Sequence, residues 1–377
     1  MGQSPPSNTY HTSPEGLPFF QGKADFGLVH PSVRVWCSRP GKVATPGDVL
    51  LSVRAPVGPT NVADQLCCIG RGLAAIRSRP SYLDDNFLLY LLRANANRLS
   101  RVGVGSTFDA IGRTTLASLC VPLPPLPEQR RIAAMLTQQM AAVDRARAAV
   151  QAQLEAAKAL PGAYLREVFP KPEEPLPEGW RWVRLGEVCI LNPRRPSLER
   201  AAAAPTTFLP MPAIAEKGRG IIAAETRPYG AVARGYTYFA DGDVLFAKIT
   251  PCMQNGKHAI ARDLQDGIGF GSTEFHVLRP SAILTSEWLL SFLLQPWVLH
   301  EAATRFTGAV GQQRVPADFL VELVLPLPPL PEQRRIAAML TEQMAGADRL
   351  VHAIDEGSAA LDCLPSTLLA QALAGGL

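Results

Sequence analysis

Pro122-Leu-Pro-Pro-Leu-Pro-Glu-Gln-Arg-Arg-Ile-Ala-Ala-Met-Leu-Thr137 is the stretch that decides how this chain is organised, because the same residues return unchanged from Pro326 to Thr341. An identical internal repeat of this length indicates a chain built by duplication. In each copy a Pro-rich run, which cannot be helical, precedes a run of strong helix formers. Pro127-Glu128 and Pro331-Glu332 suit a helix start, because proline is tolerated in the first turn and an acid is stabilised by the helix dipole.

Two long helices are predicted to follow the two copies, one over residues 128–169 and one beginning at Glu332. Their apolar positions alternate in steps of four and three, which is the heptad spacing of a coiled coil. The first seam is Ile132, Leu136, Gln139, Val143, Ala146, Val150, Gln153, Ala157, Leu160 and Tyr164. The second, 204 residues later throughout, is Ile336, Leu340, Gln343, Ala347, Leu350, Ile354, Gly357, Leu361, Leu364 and Leu368.

This shared register predicts that the two helices pack against each other, antiparallel, as a structural spacer. A helix of about 33 residues would span roughly 50 Å. Pro161 and Pro365 occupy matching positions and are expected to kink or end their helices, because proline removes a hydrogen bond of the helix.

The regions between the helices are predicted to be mixed domains of short strands and helices, so the fold class is α+β. Gly47-Asp-Val-Leu-Leu-Ser52 is echoed by Gly242-Asp-Val-Leu-Phe-Ala247, and a helix predicted over Asp85–Arg93 is echoed by residues 286–295. The duplication therefore covers whole domains. The predicted division is a mixed domain at 1–121, a helical segment at 122–176, a second mixed domain at 177–325 and a second helical segment at 326–377.

Composition indicates a soluble globular protein of 377 residues with a net charge of +4, which permits a nucleic-acid partner without requiring one. No apolar run is long enough to span a membrane, and no signal peptide is recognisable, so the expected location is the cytoplasm. The 7 cysteines are scattered, as expected of reduced core residues, and neither they nor the histidines have the spacing of a metal site.

Motifs that would indicate catalysis are weak or missing, so the sequence predicts no catalytic residue and no metal site. No P-loop is present, and Gly267-Ile-Gly-Phe-Gly271 is interpreted as a glycine-rich hairpin turn. Asn192-Pro-Arg-Arg195 lacks the second proline and the aromatic residue of an amino-methyltransferase signature. Asp48 and Asp243, which recur in the two copies, are interpreted as turn residues.

Basic and polar residues on predicted loops are the candidates for DNA binding. Arginine and glutamine can recognise guanine and adenine edges bidentately, whereas lysine, serine and threonine suit phosphates. Taken singly, each is more often a solvated surface residue. The candidates are Lys23, Arg34, Arg54, Arg101, Ser106 and Thr107 in the first domain, and Lys217, Arg219, Lys248, Lys257, Gln312, Gln313 and Arg314 in the second. The triplet at 312–314 is the strongest, because it immediately precedes the Pro-rich junction.

This pattern resembles one family, the specificity (S) subunit of Type I restriction-modification systems. The twin Pro-Leu-Pro-Pro-Leu-Pro-Glu-Gln-Arg-Arg-Ile-Ala segments at 122–133 and 326–337 carry the resemblance, and Pro177–Glu187 is similar to the opening of a target-recognition domain. Gly2–Ser7 and Gly16–Phe26 are also similar to that family. The resemblance covers essentially the whole chain.

The resemblance implies two target-recognition domains, at 1–121 and 177–325, each binding one half of a bipartite, asymmetric DNA target. The helices would set the gap between half-sites and dock two modification (M) subunits and the restriction (R) subunits. It further implies that the chain is not an enzyme. S-adenosylmethionine, ATP and Mg²⁺ are expected on the partner subunits, with no cofactor in this chain and no membrane partner.

One departure from the family leaves alternatives open. The second domain opens with Glu178–Val188, but the first has no counterpart, so its first strand is expected to be missing. The alternatives are a coiled-coil scaffold that binds only proteins and a truncated, partly inactive specificity protein. A nuclease or methyltransferase acting alone would need a carboxylate cluster or an Asn-Pro-Pro-aromatic loop.

Overall fold

A computed structural model describes residues 1–103, 110–172, 174–309 and 312–374. The chain divides into two compact units. Unit 1 comprises Met1–Ala152 and Ile354–Leu377, and unit 2 comprises Gln153–Ala353. Each unit therefore contains one mixed domain and parts of both long helices, and the four-part division expected from the sequence stays a prediction. Within the described ranges, no helix is long and apolar enough to cross a membrane.

The described residues of unit 1 form two small sheets and three short helices, together with part of each long helix. Its strands are β1 (Tyr10–His11), β2 (Leu17–Phe20), β3 (Trp36–Cys37), β4 (Val43–Ala44), β5 (Val49–Ser52), β6 (Thr60–Val62), β7 (Cys67–Ile69) and β8 (Leu73–Ile76). The helices are α1 (Asp85–Ala94), α2 (Ala96–Gly103), α3 (Arg113–Ala117) and the long α4 (Leu126–Val168). One sheet has the order β1-β3-β2-β7-β4 and the other β6-β5-β8.

The described residues of unit 2 form two four-stranded sheets and one two-stranded sheet. Its strands are β9 (Arg181–Arg184), β10 (Cys189–Leu191), β11 (Pro205–Leu209), β12 (Glu225–Pro228), β13 (Thr237–Ala240), β14 (Val244–Ala247), β15 (His258–Ile260), β16 (Ile268–Gly271), β17 (Phe275–Pro280) and β18 (Val324–Leu327). The helices are α5 (Leu185–Val188), α6 (Tyr229–Val232), α7 (Ser286–Leu293), α8 (Pro296–Thr304), α9 (Ala317–Glu322) and the long α10 (Leu330–Leu373). The sheet orders are β12-β11-β16-β13, β10-β17-β14-β15 and β18-β9.

The two units share a topology that extends the sequence repeat to the mixed domains. In each, one mixed sheet contains one parallel pair, β2 with β7 and β11 with β16, flanked by antiparallel partners. In each, a buried central strand pairs antiparallel with both neighbours, β5 between β6 and β8 and β14 between β15 and β17. The predicted α+β fold and the duplication of whole domains are confirmed.

The acidic residue that precedes each buried central strand is itself buried. The Asp48 side chain is only 3% exposed, and it accepts two hydrogen bonds from Arg77 and one from a backbone N–H three residues earlier. Asp243 repeats this arrangement with Arg279. Burial alone would raise the pKa of Asp48, but the Arg77 bond, the backbone bond and the Arg77 charge together lower it. The turn role predicted for both aspartates is confirmed, and each also anchors an arginine.

The two long helices pack against each other antiparallel, as the seams predict. In unit 1, Arg147 of α4 donates to the Leu361 carbonyl and lies 3.2 Å from an Asp362 carboxylate oxygen of α10. In unit 2, Leu165 of α4 shares a buried cluster with Ile336 and Leu340 of α10. Both helices continue through their internal prolines, Pro161 and Pro365, so neither proline ends its helix.

Burial along the seam is uneven. Ile132, Leu136, Val143, Ile336 and Leu340 are buried, whereas Val150, Leu160, Ile354 and Leu361 are half-buried. Leu350 is 45% exposed. The repeat motif therefore supplies the tightest packing, and the outer heptads contribute less buried area.

The glycine-rich run at 267–271 is a strand and not the hairpin turn expected from the sequence. Gly267 turns the chain with a φ of +71°, and the following residues form β16 inside the mixed sheet. A Cβ at Gly269 would lie 2.3 Å from the Phe239 ring, so only glycine fits there. The glycines serve close packing of the sheet.

Candidate nucleic-acid interface

Three loops of unit 2 are joined by backbone hydrogen bonds into one continuous surface, which we call the loop surface. They are residues 215–220, residues 248–257 and residues 307–315, the last without 310 and 311. The Lys217 N–H donates to the Asn255 carbonyl at 2.8 Å. The Thr250 N–H donates to the Gln313 carbonyl at 3.0 Å. The fold therefore brings together all seven second-domain candidates.

Three lysines contribute positive charge to the loop surface. Lys217 is exposed, and Lys248 and Lys257 are half-buried. None of the three forms an ion pair with any residue that the structure describes. Ammonium groups without a protein partner suit phosphate contacts.

The two arginines of the loop surface are held by carboxylates. Arg219 pairs with Asp348 of α10. The Arg314 guanidinium donates to both carboxylate oxygens of Glu274, at 2.8 and 2.7 Å, and to the Gln312 carbonyl at 2.9 Å. The hydrogen bond from Arg314 lowers the pKa of Glu274, while burial opposes the shift and the Arg314 and Lys248 charges add to it.

The Arg314 contacts shape the loop that precedes α9. Arg314 and Thr307 exchange backbone hydrogen bonds at 2.9 and 3.0 Å, which closes the loop at its base. Gln312 is exposed and Gln313 is half-buried, and their side chains make no hydrogen bond within the described part of the chain. Two amide side chains are thus presented on a loop with a fixed base.

In unit 1, two of the predicted residues lie together beside a small cleft. Lys23 and Arg54 line a cavity of about 240 Å³, and Arg71 lines it with them. Arg34 contacts the adjacent turn, where it donates to the Ala24 carbonyl. The cleft is therefore lined by three basic side chains.

The other unit 1 candidates are less closely grouped. Arg101 lies exposed in the last turn of α2, and the described contacts do not join it to the cleft. Ser106 and Thr107 lie outside the described residues. The next described residue is Ala110. It forms an isolated antiparallel β-bridge with Arg54, as Arg314 does with Ile249 in unit 2. Every candidate DNA contact stays a prediction.

A family model described as "Type I restriction modification DNA specificity domain" matches residues 42–156 and 177–355. The chain belongs to this family. No group of three or more His, Cys, Asp or Glu side chains suited to a metal ion occurs among the residues described here.

This chain matches only part of the length of its curated relatives in this family. The Type I restriction enzyme EcoEI specificity subunit of Escherichia coli is 40% identical over 181 residues, which cover 48% of this chain and 30% of that protein. The EcoAI specificity subunit of Escherichia coli is 35% identical over 259 residues, covering 68% of this chain and 42% of that protein. The chain thus matches less than half the length of these curated relatives.

Solved structures match over nearly the full chain. A chain from a structure of the type I R-M system, described by its complex assembly and conformational transition, has a TM-score of 0.73 at 25% identity and covers 98% of this chain and 92% of its own. The HsdS subunit from Thermoanaerobacter tengcongensis has a TM-score of 0.61 at 26% identity, with coverages of 98% and 91%. The S-subunit resemblance inferred from the repeat is confirmed.

The motif glutamines were missed by the sequence interpretation. Gln129 and Gln333 are fully buried. The Gln333 amide accepts the Thr285 N–H at 2.9 Å and donates to the Ile283 and Pro328 carbonyls at 2.9 and 2.8 Å. Gln129 makes the same three bonds around α1. The available signal was that this glutamine recurs in both copies of the repeat.

Proposed function

We propose that this chain is the DNA-recognition subunit of a Type I restriction-modification complex. Each unit would bind one half of a bipartite double-stranded DNA target, and the helices would dock two modification subunits and the restriction subunits. The observation that carries this proposal is the loop surface, where three lysines without an ion-pair partner in the described chain lie on the same loops as the exposed Gln312 and the half-buried Gln313. The duplicated fold adds a second, different surface for a second half-site.

Within the loop surface, the contacts suggest a division of roles. Lys217, Lys248 and Lys257 would contact phosphates, and Gln312 and Gln313 would contact base edges. Arg314, engaged by Glu274, would hold the loop in position. The cleft beside Lys23 and Arg54 would serve the other half-site.

Catalysis and its cofactors would belong to the partners. S-adenosylmethionine, ATP and Mg²⁺ would be bound by the modification and restriction subunits, in the cytoplasm, where the genomic DNA lies. For this chain, Gln129 and Gln333 would orient the recognition domains on the helices. A scaffold that binds only proteins is the competing function, and a DNA-binding assay separates the two.

The test is a gel shift of the chain with its modification subunit at several salt concentrations. We expect Gln313→Ala to change discrimination between DNA sequences at one half-site by about 1–3 kcal/mol, because a bidentate base contact contributes that much. Lys257→Ala should weaken binding to all sequences alike and reduce the salt slope by about one. Gln371→Ala, an exposed glutamine of α10, is the matched control.

Two outcomes would contradict the proposal. Failure of the chain with its modification subunit to shift DNA at any of the salt concentrations would favour the scaffold. Methylation of DNA by this chain without a modification subunit would remove the assignment of catalysis to the partners.

A further inference from the structure

The connection that follows β2 in unit 1 has the same plan as the connection that follows β11 in unit 2. In unit 1, a 3₁₀ turn leads into an isolated antiparallel β-bridge of Phe26 with Pro31. In unit 2, a 3₁₀ turn leads into an isolated antiparallel β-bridge of Ile214 with Ile221. The residues between the bridged positions therefore form equivalent turns in the two units.

Backbone hydrogen bonds close both turns in the same way. The Gly27 N–H donates to the His30 carbonyl at 3.1 Å. The Ala215 N–H donates to the Gly220 carbonyl at 2.9 Å. The turn from Gly27 to His30, which we call the apolar turn, is thus the counterpart of the turn from Ala215 to Gly220, which belongs to the loop surface.

The two turns differ in the side chains that they present to solvent. The turn of the loop surface carries Lys217 and Arg219, whereas the apolar turn carries Leu28 and Val29. Leu28 is 89% exposed and Val29 is 51% exposed. Removing such side chains from water is favourable, so the apolar turn is suited to contact an apolar group where its counterpart is suited to contact phosphates.

The apolar turn is held to β6 by three hydrogen bonds. The fully buried Asn61 donates from its side-chain amide to the Gly27 carbonyl at 2.9 Å. The Val62 N–H donates to the Val29 carbonyl at 2.9 Å, and His30 Nδ1 donates to the Val62 carbonyl at 2.9 Å. The two apolar side chains are therefore presented by a fixed backbone, which reduces the conformational entropy that is lost on binding.

Basic side chains lie on both sides of the apolar turn in the sequence. Lys23 begins the preceding 3₁₀ turn and lines the cleft with Arg54. Arg34 follows the turn, donates to the Ala24 carbonyl and lies 3.8 Å from a carboxylate oxygen of Asp25. Cationic neighbours of an apolar tip favour a partner that is a polyanion and also carries apolar groups, as DNA does.

The counterpart of the apolar turn in unit 2 lies apart from the strands that open that unit. Strands β9 and β10 pair with β18 and β17, which belong to other sheets than β11. The turn after β11 is bonded instead to the next loop of the loop surface, where the Lys217 N–H donates to Asn255 and the Gly218 N–H donates to Gly256. The equivalence of the two turns therefore does not depend on the residues that precede unit 1.

Thymine is the base whose edge carries an apolar group. Its 5-methyl group projects into the major groove, where the other features of the base edges are hydrogen-bond donors and acceptors. The side chains of Leu28 and Val29 have no hydrogen-bonding atom, so the methyl group is the feature of a base edge that they can distinguish. We propose that the apolar turn is a specificity element of unit 1, in which Leu28 and Val29 recognise thymine through its 5-methyl group. This inference rests on the function proposed above, in which unit 1 binds one half-site.

The test compares thymine with uracil, which forms the same base pair but lacks the 5-methyl group. Duplexes that the chain binds together with its modification subunit are first selected from a random-sequence pool, which defines both half-sites. Each thymine of the selected sequence is then replaced singly by uracil, and the affinity is measured by gel shift. We expect at least one replacement to weaken binding of the parent chain about fourfold, the effect of one methyl group lost from an apolar contact.

The variants assign this effect to the apolar turn. The double variant Leu28→Ser with Val29→Ser should bind thymine and uracil alike at the affected positions of one half-site, because it has no apolar contact to lose. Leu28→Ile, which keeps an apolar side chain, should retain the preference for thymine. Leu123→Ser, at a leucine of unit 1 that is 55% exposed in the segment before α4, is the matched control and should also retain it. Circular dichroism establishes that the variants are folded.

Two results would overturn this inference while leaving the proposed function intact. One is sequence-specific binding by the parent chain that no uracil replacement weakens, including the case in which the double serine variant binds less tightly to all duplexes, as expected of a wedge between base pairs. The other is a preference for thymine that the double serine variant retains at every affected position. Absence of sequence-specific binding by the parent chain would refute the proposed function, and this inference with it.

Discussion

At the scale of single residues, the same glutamine performs the same task in both units. Gln129 and Gln333 each satisfy one N–H and two carbonyl groups near the start of a short helix, at 0% exposure. Buried backbone groups left without a partner are costly, so this amide ties the recognition domain to the long helix. The two copies of the repeat thus keep the same glutamine because both units need the same packing.

We expect Gln333→Leu to lower the free energy of unfolding by at least about 2 kcal/mol, because it leaves three buried backbone groups without partners. The measurement is urea denaturation followed by tryptophan fluorescence, since Trp288 lies in the helix that Gln333 supports. Gln343→Leu, at a half-buried glutamine of the same helix, is the control. Equal stability of the two variants would refute the role of Gln333.

His258 is a second residue with a measurable signature. Its Nδ1 accepts the Ala247 N–H at 3.1 Å, and its ring stacks on Phe246 with 4.1 Å between centroids. Burial lowers its pKa from 6.5 to about 3, although the backbone bond at Lys257 opposes the shift. The imidazole is therefore neutral in the folded protein.

The unfolded chain binds a proton at His258 below about pH 6.5, while the folded chain does not until about pH 3. The stability of unit 2 should therefore fall as the pH is lowered through this window, by up to about 1.4 kcal/mol per pH unit from this group. His258→Asn, whose amide oxygen can replace Nδ1, should show a shallower fall in pH-dependent urea denaturation. The exposed His300→Asn is the control, and a slope equal to that of the parent in His258→Asn would contradict the assignment.

At the scale of elements, local patterns in the sequence predicted the elements whose determining interactions are local. The α1 helix begins after Asp84, whose side chain accepts two backbone N–H groups, and both long helices begin in the repeat as predicted. The strand pairing was not predictable in the same way. The parallel pair of β11 and β16 joins Thr207 to Gly269, and such contacts depend on the whole sheet.

The candidate interface shows the same limit. Its members were found from residue type, but their partners were not. Arg314 binds Glu274, 40 positions earlier in the sequence, and Arg219 binds Asp348 of the long helix. Composition alone could not separate these engaged arginines from the unpaired lysines beside them.

The helical seam offers a matched comparison within one element. Leu340 is 1% exposed and Leu350 is 45% exposed, although both belong to the predicted seam of α10. We expect Leu340→Ala to lower the free energy of unfolding by about 2–5 kcal/mol and Leu350→Ala by less than about 1 kcal/mol, because only the first leaves a cavity. Guanidinium denaturation measures both, and similar losses would show that the two positions are packed alike.

At the scale of the whole molecule, one ancestral unit has been duplicated and its surfaces have diverged. The repeat motif, its glutamine and the buried Asp-Arg pair are common to both units. The loops that form the loop surface of unit 2 and the cleft of unit 1 differ in sequence. An identical element cannot distinguish two different half-sites. We therefore propose that the loops that differ determine specificity and that the parts that are the same serve assembly.

We propose that this chain directs a modification complex to a bipartite DNA sequence. The most direct measurement is a genome-wide map of methylated adenines in the source strain, before and after deletion of the gene for this chain. We predict one methylated motif made of two different specific halves separated by unspecified bases, lost on deletion. A map that deletion leaves unchanged, or a motif that is a single uninterrupted sequence, would contradict the account.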